Sequence, residues 1–272
     1  MAFARKSWER HVDDVEHLAR GRGFRELRDR IVQLAGLARG AVVVDLGAGT
    51  GLLTLAVAGR VQEVWAVDSS RAMGEYLRVK AESAALDNVR VVHAPVANMP
   101  LIDGVADVVL SSYCFHEMRE RDKRRALGEA FRVLRPGGRL VIGDMMFSLN
   151  PLDPRSRLVV GRALRSIARR GLPGLLRILK NALRLATGHW EHPETAAWWR
   201  GALEQCGFEG ISIELLPNEG GIASAYRPMT EQLSPHGRVA AIAHDQQTFD
   251  TARTLDHDRH WAASATTVQA LR

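Results

Sequence analysis

The sequence predicts an α/β fold in which helices cover both faces of a mostly parallel sheet. Strand-like runs alternate with helical stretches along the chain, and this alternation is typical of parallel sheets. The chain of 272 residues, 46% of them hydrophobic, is long enough to bury one full-sized core with attachments. The predicted strands are 41–46, 64–68, 89–93, 106–111 and 139–146, and the predicted helices are 52–59, 70–85 and 120–134.

The first predicted strand ends in a glycine-rich turn. The β-branched residues 42–44 precede the segment Asp45-Leu46-Gly47-Ala48-Gly49-Thr50-Gly51. Glycines allow the backbone to turn tightly and to approach a ligand closely. A helix behind them adds free N–H groups and the positive end of its dipole. Asp45 is placed to accept hydrogen bonds from loop N–H groups or from a ligand amine, so the segment predicts a site for a nucleotide-like cofactor.

The glycine spacing and the end of the second strand narrow the choice of cofactor. A dinucleotide loop has its third glycine three places after the second. Here the glycines are residues 47, 49 and 51, and Leu52 stands at that third place. An acid before the loop also fits a cationic ligand better than a pyrophosphate. The strand 64–68 ends in Asp68, and an acid at this place can bind both hydroxyls of a ribose.

These features resemble the motifs of class I S-adenosylmethionine (SAM)-dependent methyltransferases. Within that family, the motifs most resemble those of the small-molecule methyltransferases of the ubiquinone and menaquinone group. The segment 45–51 is similar to the family's first motif, and Asp68-Ser69 with Met73 resembles the motif after its second strand. Residues 98–109 and 132–142 resemble the passages into its fourth and fifth strands, and the motifs keep the family's order.

The resemblance implies a Rossmann-like sheet of seven strands, mostly parallel, with helices on both faces. The two late runs 211–216 and 221–226 are close enough to form the antiparallel pair that ends the family's sheet. The predicted organisation is an N-terminal helical cap (1–40), a SAM-binding domain (41–228) that contains a basic helical insert or lid (148–190), and a flexible C-terminal tail (229–272).

The resemblance also implies which residues bind the cofactor. The glycine loop and Asp45 line its methionine part, Asp68 binds its ribose, and Met73 packs near its adenine. Ser111 lies on the sulfonium side. The cofactor-binding residues implied in this way are Asp45, Gly47, Ala48, Gly49, Gly51, Asp68, Ser69, Met73, Val96, Ala97 and Ser111.

One position departs from the family's pattern. Relatives usually carry an aspartate after the third strand that accepts a hydrogen bond from the adenine amino group, and Pro95 stands at this place. A proline side chain cannot accept that bond. The backbone N–H of Val96 can still be offered to the ring, so we expect adenine to be held by this group or by packing alone.

Methyl transfer needs little chemistry from the protein, because the sulfonium is already an activated donor. In-line positioning can lower the barrier by about 7–11 kcal/mol, and a general base adds ~10²–10⁴-fold where the acceptor must lose a proton. The loop 111–117 should lie beside the methyl group, and His116 stands where many relatives have histidine. His116 is therefore the candidate base. In the alternative, His116 and Glu117 only cap or pair at the start of the next helix.

Two kinds of chemistry are disfavoured. Methyltransferases of amide or adenine amino groups usually carry Asn/Asp-Pro-Pro-Tyr after the fourth strand, where this chain has the segment 111–114, Ser-Ser-Tyr-Cys. No further ligands cluster with Cys114 and His116, so we expect no metal. A hydroxyl, an amine or an activated carbon of a small molecule stays open as the acceptor.

The insert is strongly basic, with no acidic residue from Pro154 to Trp190. Its pattern predicts a helical hairpin, broken at 171–174, with basic side chains on one face and apolar ones on the other. We consider three roles for residues 155–185. The favoured one is a lid whose leucines cover the substrate pocket. The second is a peripheral contact with anionic lipids, which implies a quinone or lipid acceptor. Contact with RNA ranks third, because the insert has no aromatic side chain before Trp190 on which a base could stack.

The cysteine content and the lack of targeting signals predict a cytoplasmic protein. Cys114 and Cys206 are too few for a disulfide framework, and no signal peptide or membrane span is recognised. We therefore predict SAM-dependent methyl transfer to an O, N or C atom of a small molecule, hydrophobic molecules included. The competing hypothesis is a regulatory module that binds SAM without turnover. The oligomeric state is left open.

Overall fold

The structure of this chain is a computed structural model, which describes residues 11–148, 150, 152–168, 192–217 and 219–229. The second half of the predicted helical hairpin and the predicted tail lie outside the described residues.

Two helices precede the sheet, and a helix separates consecutive strands among its first five except between the third and the fourth, which a loop joins. The helices are α1 (Val12–Ala19), α2 (Arg22–Ala35), α3 (Thr54–Ala58), α4 (Arg71–Ser83), α5 (Glu120–Val133), α6 (Pro154–Ala168) and α7 (Ala196–Gln205). The strands are β1 (Val42–Leu46), β2 (Glu63–Asp68), β3 (Val89–His93), β4 (Ala106–Ser112), β5 (Leu134–Met145), β6 (Glu209–Leu215) and β7 (Gly220–Tyr226).

The strands form one seven-stranded sheet in the order β3-β2-β1-β4-β5-β7-β6. Neighbouring strands from β3 to β5 are parallel. By contrast, β7 runs antiparallel to both β5 and β6. The predicted fold class and the predicted antiparallel pair are both confirmed.

The central strands are buried on both faces. Consecutive side chains of a strand point to opposite faces, so Val43 packs with Ile31 of α2 while Val44 packs with Leu127 of α5. Burial on both faces explains why β1 appears in the sequence as an unbroken apolar run. It also leaves the carboxyl ends of the parallel strands as the edge at which polar side chains can meet.

Two element boundaries differ from the predicted ones. The helix after the glycine turn begins at Thr54 rather than at residue 52, because the N–H of Gly51 donates to the carbonyl of Ala48 at 2.9 Å and prolongs the turn. The fifth strand begins at Leu134 rather than at residue 139, because Leu134 already pairs with Ala106 of β4.

The described helix of the insert exposes two leucines and turns one arginine inward. Leu158 and Leu164 of α6 are 57% and 44% exposed. Arg155 points inward, and its guanidinium donates to the carbonyls of Met146 at 2.9 Å and Leu216 at 3.1 Å. These backbone acceptors need donors that no leucine can supply, so hydrogen bonds hold Arg155 inward, and the segregation predicted for the hairpin stays a prediction. Among the described residues, no helix is long and apolar enough to cross a bilayer.

Candidate active site

The glycine loop joins β1 to α3 at the carboxyl edge of the sheet. Gly47, Gly49 and Gly51 have φ angles of 69°, 52° and 91°, in the left-handed region that favours glycine. A Cβ on Gly47 would lie 2.2 Å from Sγ of Cys114, and one on Gly51 would lie 2.4 Å from a methyl carbon of Leu77. The loop therefore requires glycine for its backbone conformation and for its close packing.

Further hydrogen bonds hold this loop in place. The N–H groups of Gly47 and Ala48 donate to the carbonyl of Val67 in β2, at 2.8 and 3.1 Å. On the other side, Nζ of Lys80 donates to the carbonyl of Thr50 at 3.0 Å. Because the loop is held from both sides, ligand binding costs little conformational entropy for ordering it.

Asp68 lies beside the loop at the end of β2. Its Oδ2 accepts the N–H of Gly49 and its Oδ1 accepts the N–H of Ser70, both at 2.8 Å. Ser70 in turn caps α4 by accepting the N–H of Met73 at 3.2 Å. Ser69, between them, is exposed. The carboxylate thus holds the loop and the start of α4 together, at the place where the resemblance puts the ribose.

Asp45 is a buried carboxylate at the end of β1. Its side chain is 1% exposed, and its Oδ2 accepts the N–H of Thr54 at 3.0 Å and the Oγ1 hydroxyl of Thr54 at 2.6 Å. Burial raises the pKa of Asp45 to about 6, the bonds from Thr54 oppose this rise, and the charge of Asp68 adds to it. The partner seen is therefore the start of α3, rather than the loop N–H groups considered from the sequence.

The residues predicted to contact adenine follow β3 and β2, the two strands whose ends pair at His93 and Asp68. After β3, the carbonyl of Pro95 accepts the N–H of Asn98 at 2.9 Å. This turn holds Val96, which is buried, and Ala97, which is half-buried. Met73 is buried in the first turn of α4. Contact of these side chains with adenine stays a prediction.

Ser111 ties β4 to β1 beneath the loop. Its side chain is fully buried, and its hydroxyl donates to the carbonyl of Leu46 at 2.8 Å. That bond joins the ends of the two central strands next to the glycine loop. Ser111 can therefore shape the floor of the site, and its predicted contact with the sulfonium side stays a prediction.

A sharp turn after β4 brings His116 to a carboxylate on the next strand. Tyr113 has a φ of 50°, an uncommon strained value for a residue with a side chain. Phe115 and His116 follow in a single 3₁₀ turn. Nδ1 of His116 lies 2.8 Å from Oδ1 of Asp144 near the end of β5, and Oδ2 of Asp144 accepts the N–H of Phe115 at 2.7 Å. His116 and Asp144 thus form a buried, oriented pair.

Sequence reasoning missed Asp144. The signal that could have found it is a carboxylate inside the apolar run 140–146 of a strand buried on both faces. A buried carboxylate is costly unless hydrogen bonds or a charge compensate it. Such a residue therefore demands a polar partner at the carboxyl edge of the sheet.

The pair indicates which nitrogen of His116 carries the ring hydrogen. A carboxylate accepts hydrogen bonds only, so Nδ1 carries the hydrogen that faces Asp144, and Nε2 of the neutral ring is then an acceptor. Nε2 lies 3.7 Å from Oε1 of Glu117, and the two form an ion pair only when the ring is protonated on both nitrogens. The next helix, α5, begins at Glu120 with Arg119 as its N-terminal cap, so His116 does not cap it.

Two aromatic side chains lie beside the His116–Asp144 pair. The rings of Phe24 in α2 and Tyr113 are 4.6 Å apart between centroids, and the edge of Tyr113 faces His116 at 6.0 Å. Burial raises the pKa of Tyr113, so its hydroxyl stays protonated. An N-terminal helix therefore contributes to the surroundings of the candidate base.

A buried lysine fastens the chain that returns from the insert. Lys123 of α5 is fully buried, and its Nζ donates to Oε1 of Glu194 at 2.6 Å and to the carbonyl of His192. The N–H of His192 donates to the carbonyl of His116 at 2.7 Å. Glu194 lies just before α7, which begins at Ala196. Glu194 pairs with Lys123 because a buried ammonium needs an opposite charge.

Cys114 is the thiol of the site, and it has a packing role. Cys114 and Cys206 are both free cysteines, and burial raises the pKa of the Cys114 thiol well above its usual value, with the charge of Asp68 adding to the rise. A neutral thiol packed against Gly47 is a weak nucleophile and a weak metal ligand. Within the described parts of the chain, no group of three or more His, Cys, Asp or Glu side chains could hold a metal ion.

The fold and the site together define a class of protein. A Rossmann-like sheet carries a glycine loop after its first strand, an acid after its second strand and a polar turn after its fourth. These are the features by which the sequence resembles class I methyltransferases.

Comparisons with known proteins agree with that class. Residues 43–138 match the family model described as a methyltransferase domain. The ubiquinone/menaquinone biosynthesis C-methyltransferase UbiE of Vibrio vulnificus is 30% identical over 205 residues, which cover 72% of this chain and 74% of that protein. The demethylmenaquinone methyltransferase of Clavibacter sepedonicus is 33% identical over 208 residues, covering 74% and 77%.

Solved structures share the fold. A SAM-dependent methyltransferase from Aquifex aeolicus has a TM-score of 0.57 at 19% identity, over 79% of this chain and 98% of that one. The chain belongs to the class I SAM-dependent methyltransferases, among the relatives of UbiE. It is a small-molecule methyltransferase whose cofactor is SAM.

Proposed function

We propose that the protein methylates a ring carbon or a hydroxyl oxygen of a small hydroxyaromatic molecule, and that His116 accepts the proton. The observation that carries this proposal is the His116–Asp144 pair at 2.8 Å. Nε2 of His116 would accept the acceptor's proton as the carbon or oxygen of the acceptor takes up the methyl group. Bound SAM would supply that methyl group from its sulfonium and would leave as the neutral thioether S-adenosylhomocysteine.

Two observations support a hydroxyaromatic acceptor. The aromatic pair Phe24 and Tyr113 lies next to His116, and aromatic rings favour offset or edge-on contact with one another. In addition, the relatives named above methylate quinone precursors by their names. A base is needed for such acceptors because they must lose a proton from oxygen or carbon.

Product analysis tests this acceptor class. The protein is incubated with SAM that carries a ¹³C-labelled methyl group, together with a panel of hydroquinones, naphthols and alkylamines. We expect label on a ring carbon or a phenolic oxygen, located by NMR, with an equal amount of S-adenosylhomocysteine. Transfer to the amines alone would overturn the proposal.

We propose that SAM occupies the edge formed by the residues inferred from the resemblance. The hydrogen-bonded loop, Asp68 and the turn 95–98 support this placement, because they surround one continuous stretch of the sheet edge. We likewise propose the domain organisation inferred from the sequence, with the cap at 1–40 and the SAM-binding domain at 41–228. The cytoplasmic location stays a prediction.

We further propose that the insert contacts anionic membrane surfaces through α6. Leu158 and Leu164 are more than 40% exposed on this helix, and Arg157 and Arg165 are exposed beside them. Just before the helix, Leu152 is exposed as well. Leucines alternating with arginines suit a lipid interface, where the apolar groups enter the acyl region and the cations bind headgroups.

A groove beside this face supports the same occupant. It has a volume of about 430 Å³ and lies between α6 and the end of β6. The lining is apolar apart from two guanidinium groups, so an acyl chain with an anionic headgroup matches its chemistry. The lining residues are Arg155, Leu158, Val159, Arg162, Leu215 and Pro217.

We expect the double substitution Leu158→Glu with Leu164→Glu to weaken vesicle binding about 100-fold or more, because each leucine loses about 1.5 kcal/mol or more of apolar burial. The measurement is co-sedimentation with vesicles of anionic phospholipid, at constant ionic strength. Val79→Glu, an equally exposed apolar position on α4, is the matched control and should bind as the wild type does. Unchanged binding of the double variant would leave the lid as the better role.

A further inference from the structure

Asp45 is a buried carboxylate with no basic partner among the described residues. It lies in the middle of the sheet, paired with Ala66 of β2 and Leu110 of β4. No described Lys, Arg or His side chain forms an ion pair with it. A buried charge in this state is costly, and SAM brings both an ammonium group and a sulfonium to this edge.

Thr54 supplies two donors to this carboxylate. Its N–H and its hydroxyl both reach Oδ2 of Asp45, at 3.0 and 2.6 Å. Thr54 is itself fully buried, so the hydroxyl has no access to water that could replace the bond. Hydrogen bonds of this kind favour the ionised form of the acceptor and fix its rotamer.

We propose that Thr54 is a positioning residue that keeps Asp45 ionised and oriented for the ammonium group of SAM, so that capture of the cofactor depends on pH. The inference rests on the proposed role of Asp45 in the cofactor site. It adds a residue to which the resemblance assigns no role.

The charges around Asp45 give the direction of the pH dependence. Burial raises the pKa of Asp45 to about 6, and Asp68 from the neighbouring strand adds to the rise. Cys114 also faces the Asp45 carboxylate. Burial raises the pKa of the Cys114 thiol, so this thiol stays uncharged near neutral pH. A cationic ligand stabilises the ionised form. The affinity for SAM is therefore complete well above the pKa of Asp45, at about 6, and falls as the pH drops through this value.

Thr54→Val removes the hydroxyl and keeps the shape of the side chain. The lost bond should raise the pKa of Asp45 further, by about one unit, and the acid limb of SAM binding should move to higher pH by the same amount. Thr54→Ser keeps the hydroxyl and should bind as the wild type does.

Titration calorimetry with SAM from pH 5 to pH 8.5 tests the inference. The ratio of the Kd of Thr54→Val to that of the wild type cancels the titration of the cofactor's own amino group. We expect this ratio to be near one at pH 8.5 and to reach about tenfold at pH 5.5. We also expect Thr54→Ser to stay within about twofold throughout. A ratio that is the same at every pH would overturn the inference, because it would mean a purely structural role.

A second variant separates this inference from the proposed cofactor site. Asp45→Asn should weaken SAM binding at pH 8 and should abolish the acid limb. If Asp45→Asn binds SAM as well as the wild type does, the placement of the cofactor's amino group fails, and the inference fails with it. If Asp45→Asn loses affinity while Thr54→Val shows no pH-dependent ratio, only the role of Thr54 fails.

Discussion

Replacing His116 by glutamine should lower kcat by ~10²–10⁴-fold while the Kd for SAM stays within about twofold of that of the wild type. The reason is that Nε2 of His116 is the proposed acceptor for the proton that leaves the substrate, whereas the proposed cofactor contacts are made by other residues. Single-turnover methyl transfer and calorimetric SAM binding, on the same preparations, measure the two quantities separately.

Asp144→Asn gives a sharper test of the same pair. The amide oxygen can still accept the N–H of Phe115, so the turn can keep its geometry. The amide N–H₂, however, donates to Nδ1 of His116, which forces the ring hydrogen onto Nε2 and removes the basic lone pair. The analogous change in serine proteases costs about 10⁴-fold, and we expect a loss in the upper part of the range given for His116→Gln.

His93→Gln is the matched control for His116→Gln. His93 ends β3, is exposed, and lies on the far side of β2 from β4, so both kcat and the Kd should be unchanged. Folding of each variant is checked by its thermal unfolding midpoint. If folded His116→Gln transfers methyl groups at the wild-type rate, another group accepts the proton and the proposed mechanism is wrong.

Local signals explain which parts of this site the sequence predicted. The glycine loop and Asp68 belong to segments of a few residues, in which strand, turn and polar side chain follow one another directly. Their hydrogen bonds, such as Gly49 to Asp68, join neighbouring strands whose pairing follows from the parallel fold. The fold class was predictable for the same reason, because the alternation of strands and helices repeats along the chain.

Long-range partners explain what the sequence did not predict. His116 and Asp144 are 28 residues apart and meet only because β5 lies next to β4. Arg155 points inward because carbonyl groups at the end of the sheet accept its hydrogen bonds, and a helical periodicity carries no information about such acceptors. In both cases a polar group was placed by the partner it finds after folding.

Asp68→Ala should weaken SAM binding by about 100-fold or more. A carboxylate that accepts two hydrogen bonds from the ribose contributes about 1.5–3 kcal/mol for each bond, and about 2.7 kcal/mol corresponds to 100-fold in the Kd. Calorimetry with SAM and with S-adenosylhomocysteine should show the same loss, because both carry the ribose. Asp87→Ala, which removes an exposed aspartate from the same half of the sheet, should bind both ligands normally.

The structure offers another route by which Asp68→Ala could act, since the carboxylate also holds the N–H groups of Gly49 and Ser70. A SAM analogue without ribose hydroxyls separates the two routes. If Asp68 binds the hydroxyls, removing them from the ligand and removing the carboxylate from the protein eliminate the same contact, so the two losses do not add. If Asp68 only stiffens the loop, the analogue loses a further 100-fold or so in the variant, and the assignment of the ribose to Asp68 is wrong.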